Sequence, residues 1–128
     1  MITRFDVPNL YKCTKKLVNV ANAKIKPDLI INNARVLSTY TERILDNKEI
    51  WISEGRIACV KENNSSTKFF DKKSLNIYDA NYNLLAPGLI DPHMHIESSM
   101  MTACAYAEPA LLNGTTTIFC DSHQIANV

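Results

Sequence analysis

The stretch that decides the fold is Pro87-Gly88-Leu89-Ile90-Asp91-Pro92-His93-Met94-His95-Ile96-Glu97. A Pro-Gly pair opens it, a short apolar run follows, and polar residues then recur at every second position. Side chains two apart on a strand leave the same face, so Asp91, His93 and His95 are expected on one side. Two imidazoles at that spacing can offer neutral nitrogens to one divalent cation, and a carboxylate beside them can orient a ring or join the ligand set. An H-x-H alone is weak, because paired histidines on a strand face are mostly structural or incidental. The context strengthens it. Residues 84–96 read as a strand interrupted by Pro87-Gly88, and residues 99–112 as a helix that Ser99 or Thr102 can cap. Asn113-Gly114 is a stop, and the β-branched run Thr115-Thr116-Thr117-Ile118-Phe119-Cys120 is a second strand. Strand, helix and strand over this length make one βαβ unit with parallel strands. The histidines then end the first strand, the place where a parallel barrel builds its site. Pro109 removes one helical hydrogen bond and is expected to kink or shorten the helix.

His123 follows the second strand, in Cys120-Asp121-Ser122-His123-Gln124. If the two strands are parallel neighbours, it emerges on the same rim as His95 and becomes a candidate for substrate contact or proton transfer. His95-Ile96-Glu97 also matches half of the zinc nucleoside-deaminase signature. That class needs P-C-x-x-C for its other ligands, and neither Cys104 nor Cys120 follows a proline. The match is rejected.

Working outward, residues 9–25 have helical periodicity, with Asn9 able to cap and Leu10, Cys13, Leu17, Val20 and Ala21 on one face. From Asp28 the pattern is one of strands: Leu29-Ile30-Ile31, an Asn-Asn turn signal, Ala34-Arg35-Val36-Leu37, then Glu49–Ser53 and Arg56–Val60 around Glu54-Gly55, a hairpin. Residues 63–74 read as a loop and Leu75–Tyr78 as another strand. Residues 28–85 are thus expected as a small, mostly antiparallel β unit.

The chain has 128 residues and a net charge of +1, which argues neither for a nucleic-acid partner nor for an acidic one. Cys13, Cys59, Cys104 and Cys120 are widely and irregularly spaced, so neither a zinc knuckle nor a disulfide framework is suggested. The N-terminus lacks the apolar core of a signal peptide, and no segment reaches the roughly 20 apolar residues of a membrane span. A cytoplasmic protein with reduced thiols is expected.

The motif Pro87–His95 resembles the PGxIDxHxH signature of the amidohydrolase superfamily. Ile96-Glu97-Ser98-Ser99-Met100 is similar to the H-I-E-S-S run of adenine deaminases. Asn113–Thr117 resembles that family's HGTTT, and residues 121–128 resemble its DPHEIANV. The resemblance is good over residues 25–128 and poor over 1–24. It implies an α/β fold with a β-rich N-terminal part: an N-terminal helical arm (1–24), a β-sandwich-like composite unit (25–86) and the first βαβ of a TIM-type (β/α)8 barrel (87–128). It also implies hydrolytic conversion of adenine to hypoxanthine and ammonia, a reaction on a non-peptide C–N bond. His93 and His95 would be ligands of a divalent metal, manganese foremost and iron or zinc as alternatives. Asp91, Glu97, Ser98 and Ser99 would shape the substrate pocket or support the ligands, and His123 would be catalytic. The implied partner is a purine, without nucleic acid or membrane; self-association is a further expectation. Gln124 stands where the family has a carboxylate. A full barrel takes about 250 residues, so the chain is expected to be a truncated, inactive form of such an enzyme. A dihydroorotase- or hydantoinase-like enzyme would share H-x-H without H-I-E-S-S. A non-catalytic assembly module is the remaining alternative.

Overall fold

The computed structural model describes residues 7–121. They belong to two compact units, Met1–Ala86 and Pro87–Val128.

The first unit is a mixed five-stranded sheet with one helix. Helix α1 spans Leu10–Ala21, and the strands are β1 (Leu29–Ser38), β2 (Arg43–Ser53), β3 (Arg56–Glu62), β4 (Ile77–Asp79) and β5 (Leu84–Leu85). The order is β3-β2-β1-β4, with β5 also on β1. β2 and β3 turn on a two-residue loop, Glu54 (φ 53°) and Gly55 (φ 66°). Two positive φ values in succession make the turn whose twist matches the strands it joins, and glycine takes the second at no steric cost.

Three features differ from the reading above. Asn32-Asn33 is a bulge inside one continuous β1 rather than a turn. Asn33 sits at φ 50°, which asparagine tolerates; its backbone N–H donates to Asn63 Oδ1, and its side-chain Oδ1 accepts from Asn63 Nδ2. Second, the sheet is mostly antiparallel through β1–β2 and β2–β3, as expected, but it is mixed, because the short strands β4 and β5 both run parallel to β1. The chain leaves β3 at one edge and must cross the sheet to reach β4 on the far side of β1. That crossing segment, carrying 3-10 turns at Ser66–Lys68 and Lys72–Ser74, lays Phe70 edge-on to Trp51 and Leu75 against the cluster of Val20, Ile30 and Trp51. Third, the described residues of this unit form one sheet, and α1 packs on it. Val20 of α1 is fully buried with Ile30 and Trp51, so helix and crossing segment cover the face a second sheet would take. Burying a Val or Ile side chain is worth about 1.5–3 kcal/mol, which explains why α1 is held. The helix is shorter than residues 9–25, and Asn9 takes the cap position without a side-chain cap bond. Ala34, Val36, Ile50 and Ala80 form a separate buried cluster.

One polar group lies inside this unit. Glu49 is 1% exposed. Its Oε1 accepts from Trp51 Nε1 at 2.7 Å and from the Ser66 backbone N–H at 2.6 Å, and its Oε2 accepts from Ser66 Oγ at 3.1 Å. The carboxylate ties the crossing segment to β2.

The second unit is β6 (Leu89–Met94), a 3-10 turn (Ile96–Ser99), helix α2 (Ala103–Leu112) and β7 (Thr115–Cys120). β6 and β7 pair in parallel, so a βαβ unit is present. The expected strand over 84–96 is two strands: β5 pairs with β1, and β6 starts after Pro87-Gly88. A Cβ on Gly88 would overlap the Thr116 side chain. Thr102, not Ser99, caps α2, accepting from the Ala105 N–H at 3.2 Å. The helix cannot start sooner because Met100 is left-handed, at φ 58°. Pro109 does not end α2, which continues to Leu112. No residue from 87 to 121 is buried. Leu89, Ile90 and Phe119 are about three-fifths exposed, although parallel strands are ordinarily covered on both faces.

Candidate metal site at the end of β6

β6 delivers His93 near its end and His95 one residue past it. The two rings meet edge to face, with centroids 4.6 Å apart and planes at 88°. Their Nε2 atoms are 2.9 Å apart. The Nδ1 of His95 bonds to the backbone carbonyl of Asp121, the residue after β7. A carbonyl only accepts, so this nitrogen carries the hydrogen, and in the neutral ring the Nε2 then presents a lone pair. The contact between the two Nε2 atoms is a hydrogen bond whose direction depends on the tautomers of the rings.

Nitrogen ligands lie about 2.0–2.1 Å from a divalent ion such as zinc, so two of them are separated by about 3.3 Å in a tetrahedral site and by about 2.9 Å at right angles. The observed spacing therefore suits two adjacent positions around one cation. The bond from His95 Nδ1 to a carbonyl is the outer contact that metal-bound imidazoles ordinarily carry. Two nitrogens are fewer than the three or four protein ligands of a zinc-type site. Among the described residues, no group of three or more His, Cys, Asp or Glu side chains is arranged to hold a metal ion.

The other residues named from sequence fall as follows. Asp91 is not simply alongside the imidazoles: its Oδ1 accepts the backbone N–H of His93 at 3.1 Å. Strict alternation fails here, because the β6–β7 register slips between Asp91 and Met94. Glu97 Oε1 lies 3.8 Å from His95 Nδ1, and its side chain is 9% exposed. Ser98 donates its backbone N–H to the His95 carbonyl. The hydroxyl of Ser99 donates to the Ile96 carbonyl within its own turn. His123 and Gln124 lie outside the described residues. Asp121 had no assigned role in the sequence reading, since a backbone carbonyl leaves no residue-type signal. Pro92 did leave one: a proline inside a strand pattern marks an edge or a bulge.

No family model matches the chain. Curated proteins do. An adenine deaminase of Rhizobium johnstonii is 61% identical over 127 residues, 99% of this chain and 20% of that protein. One from a Bradyrhizobium species is 58% identical over 127 residues, covering 99% of this chain and 21% of its own length. An enzyme of that name from Clostridium botulinum is 34% identical over 128 residues, all of this chain and 21% of that protein. The chain is a homologue of the N-terminal part of adenine deaminases. It spans about a fifth of the length of these relatives. Their matches take in residues 1–24, where the motifs alone showed little. Among solved structures, molinate hydrolase superposes with a TM-score of 0.54 at 18% identity, over 74% of this chain and 24% of that one. An amidohydrolase superposes with a TM-score of 0.50 at 22% identity, over 70% of this chain and 24% of its own. The chain thus shares a fold with about a quarter of each of these two proteins. Among its described residues, no helix is long and apolar enough to cross a membrane.

Proposed function

We propose that this chain supplies the first metal-binding strand of a hydrolytic site that converts adenine and water to hypoxanthine and ammonia. The observation that carries the reading is the convergence of His93 Nε2 and His95 Nε2 to 2.9 Å at the C-terminal end of a parallel strand. The similarity to adenine deaminases directs the substrate assignment to a purine. In this reading the second unit is the opening βαβ of a (β/α)8 barrel, and its uncovered strand faces are where further strands and helices pack.

His93 and His95 hold a divalent ion, manganese foremost, with iron or zinc as alternatives. Such an ion, when bound, supplies Lewis acidity and an ionised water at neutral pH. The chain's own residues do the rest. The Asp121 carbonyl keeps His95 in the tautomer whose Nε2 carries the lone pair a cation would take. Glu97, beside the same ring, holds that end of the site negative and favours a bound cation. Ser98 and Ser99 form the turn that floors the purine pocket. His123 is assigned proton transfer to the departing ammonia. The remaining ligands come from residues other than those described.

The test is ammonia release from adenine by the 128-residue chain with Mn²⁺, beside a His93→Ala/His95→Ala control, and by the same chain joined to the C-terminal remainder of a relative. The joined protein is expected to turn over adenine and to lose that activity when both histidines are replaced. Full activity without them would refute the assignment.

A further inference from the structure

The β6–β7 register pairs Asp91 with Ile118 and Met94 with Cys120. Two residues on β6, Pro92 and His93, therefore stand opposite Phe119 alone. Proline has no N–H to give to a ladder, and an extra residue in a strand leaves its neighbour's amide unpaired. Here that amide belongs to His93, and the Asp91 carboxylate takes it, Oδ1 to N at 3.1 Å. The bulge thus has its own internal tie, and the residue it re-aims is one of the two imidazoles whose Nε2 atoms converge.

We infer that Asp91 is a positioning residue: its carboxylate holds the Pro92–His93 bulge in shape and so sets the spacing of the His93–His95 pair. The inference rests on the metal reading of that pair, and it assigns Asp91 neither to the ligand set nor to the substrate. An ungripped bulge can flatten or migrate by one residue, and a one-residue slip turns a side chain to the opposite face. His93 would then leave His95.

The 128-residue chain is the test object, with Asp91→Ala and Asp91→Asn as variants and Zn²⁺ as the probe, followed by calorimetry and by the imidazole resonances of His93 and His95. Asparagine keeps an oxygen that can accept the His93 N–H but is a poor metal ligand. The expected result is Zn²⁺ binding weakened at least 10-fold in Asp91→Ala, the scale of losing an outer support of a metal ligand, and kept within about 3-fold in Asp91→Asn. Equal affinity in all three proteins would overturn the inference. So would an Asn variant as weak as the Ala variant, since the charge and not the tie would then matter. Hydrogen exchange at the His93 amide gives a readout independent of metal: protection is expected in the wild type and Asp91→Asn, and loss in Asp91→Ala. If wild-type chain shifts neither imidazole with Zn²⁺, the metal reading fails, and amide exchange alone decides the bulge: unchanged protection in Asp91→Ala overturns it.

Discussion

Replacing Glu49 by alanine strands two buried donors, the Trp51 indole N–H and the Ser66 backbone N–H, both now bonded to Oε1 at 2.7 and 2.6 Å. Trp51 is fully buried and Ser66 is 2% exposed, so water does not reach them without local opening. A buried donor left without a partner costs about 1–3 kcal/mol, so Glu49→Ala should lose about 2–6 kcal/mol from the two donors. That compares with a total stability of about 5–15 kcal/mol for an ordinary domain. Glu49→Gln keeps an oxygen for both donors, and its amide nitrogen can donate to Ser66 Oγ. It forfeits only the charge assistance and should cost about 1 kcal/mol. Trp51 is the single tryptophan of the chain, so its fluorescence during urea unfolding reports on the site itself. Glu49→Ala is expected to unfold at much lower urea, or to be unfolded without it, with Glu49→Gln close to wild type. An alanine variant within 1 kcal/mol of wild type would refute the view that this carboxylate fastens the crossing segment. A glutamine variant as damaged as alanine would show that charge, not bond count, is what matters.

Gly88→Ala drives a methyl group into Thr116, and overpacking of this kind costs about 1–3 kcal/mol. Faster exchange of the β6 and β7 ladder amides should follow, with relief in Gly88→Ala/Thr116→Gly; unchanged exchange would count against the close approach. Burial pushes the Cys59 thiol up, with the Lys61 charge opposing and Glu49 adding to the rise. Its folded value lies above the unfolded one, so the folded chain keeps the proton after the unfolded chain has released it, and stability should fall as pH rises past about 8.5. The urea midpoint of wild type relative to Cys59→Ala should decline between pH 7 and pH 10, and a constant difference would contradict the sign. With no residue from 87 to 121 buried and two strand edges open, the 128-residue chain should associate. Sedimentation showing a monomer at all concentrations would sink that expectation.

Local chemistry was legible in the sequence. The Glu54-Gly55 hairpin, helix α1 and the order strand, helix, strand after Pro87 follow from periodicity and turn residues, which act over a few positions. The His93–His95 pair was legible for the same reason, since two residues apart on an extended chain is a near contact. What needed the tertiary structure were effects that depend on distant partners. The parallel seating of β4 and β5 on β1 arises because the chain must cross the sheet to reach an open edge, and no residue type encodes an edge. Asn32-Asn33 became a bulge instead of a turn because Asn63, thirty residues on, satisfies it. Thr102 displaced Ser99 as the cap because the 3-10 turn had already taken Ser99. Glu49 reads as a surface charge on an alternating strand, yet it is interior, because the crossing segment brings Ser66 down onto it. At the site, residue types named the imidazoles, while the partners that set their tautomer and spacing, the Asp121 carbonyl and the bulge held by Asp91, exist only once β7 lies beside β6.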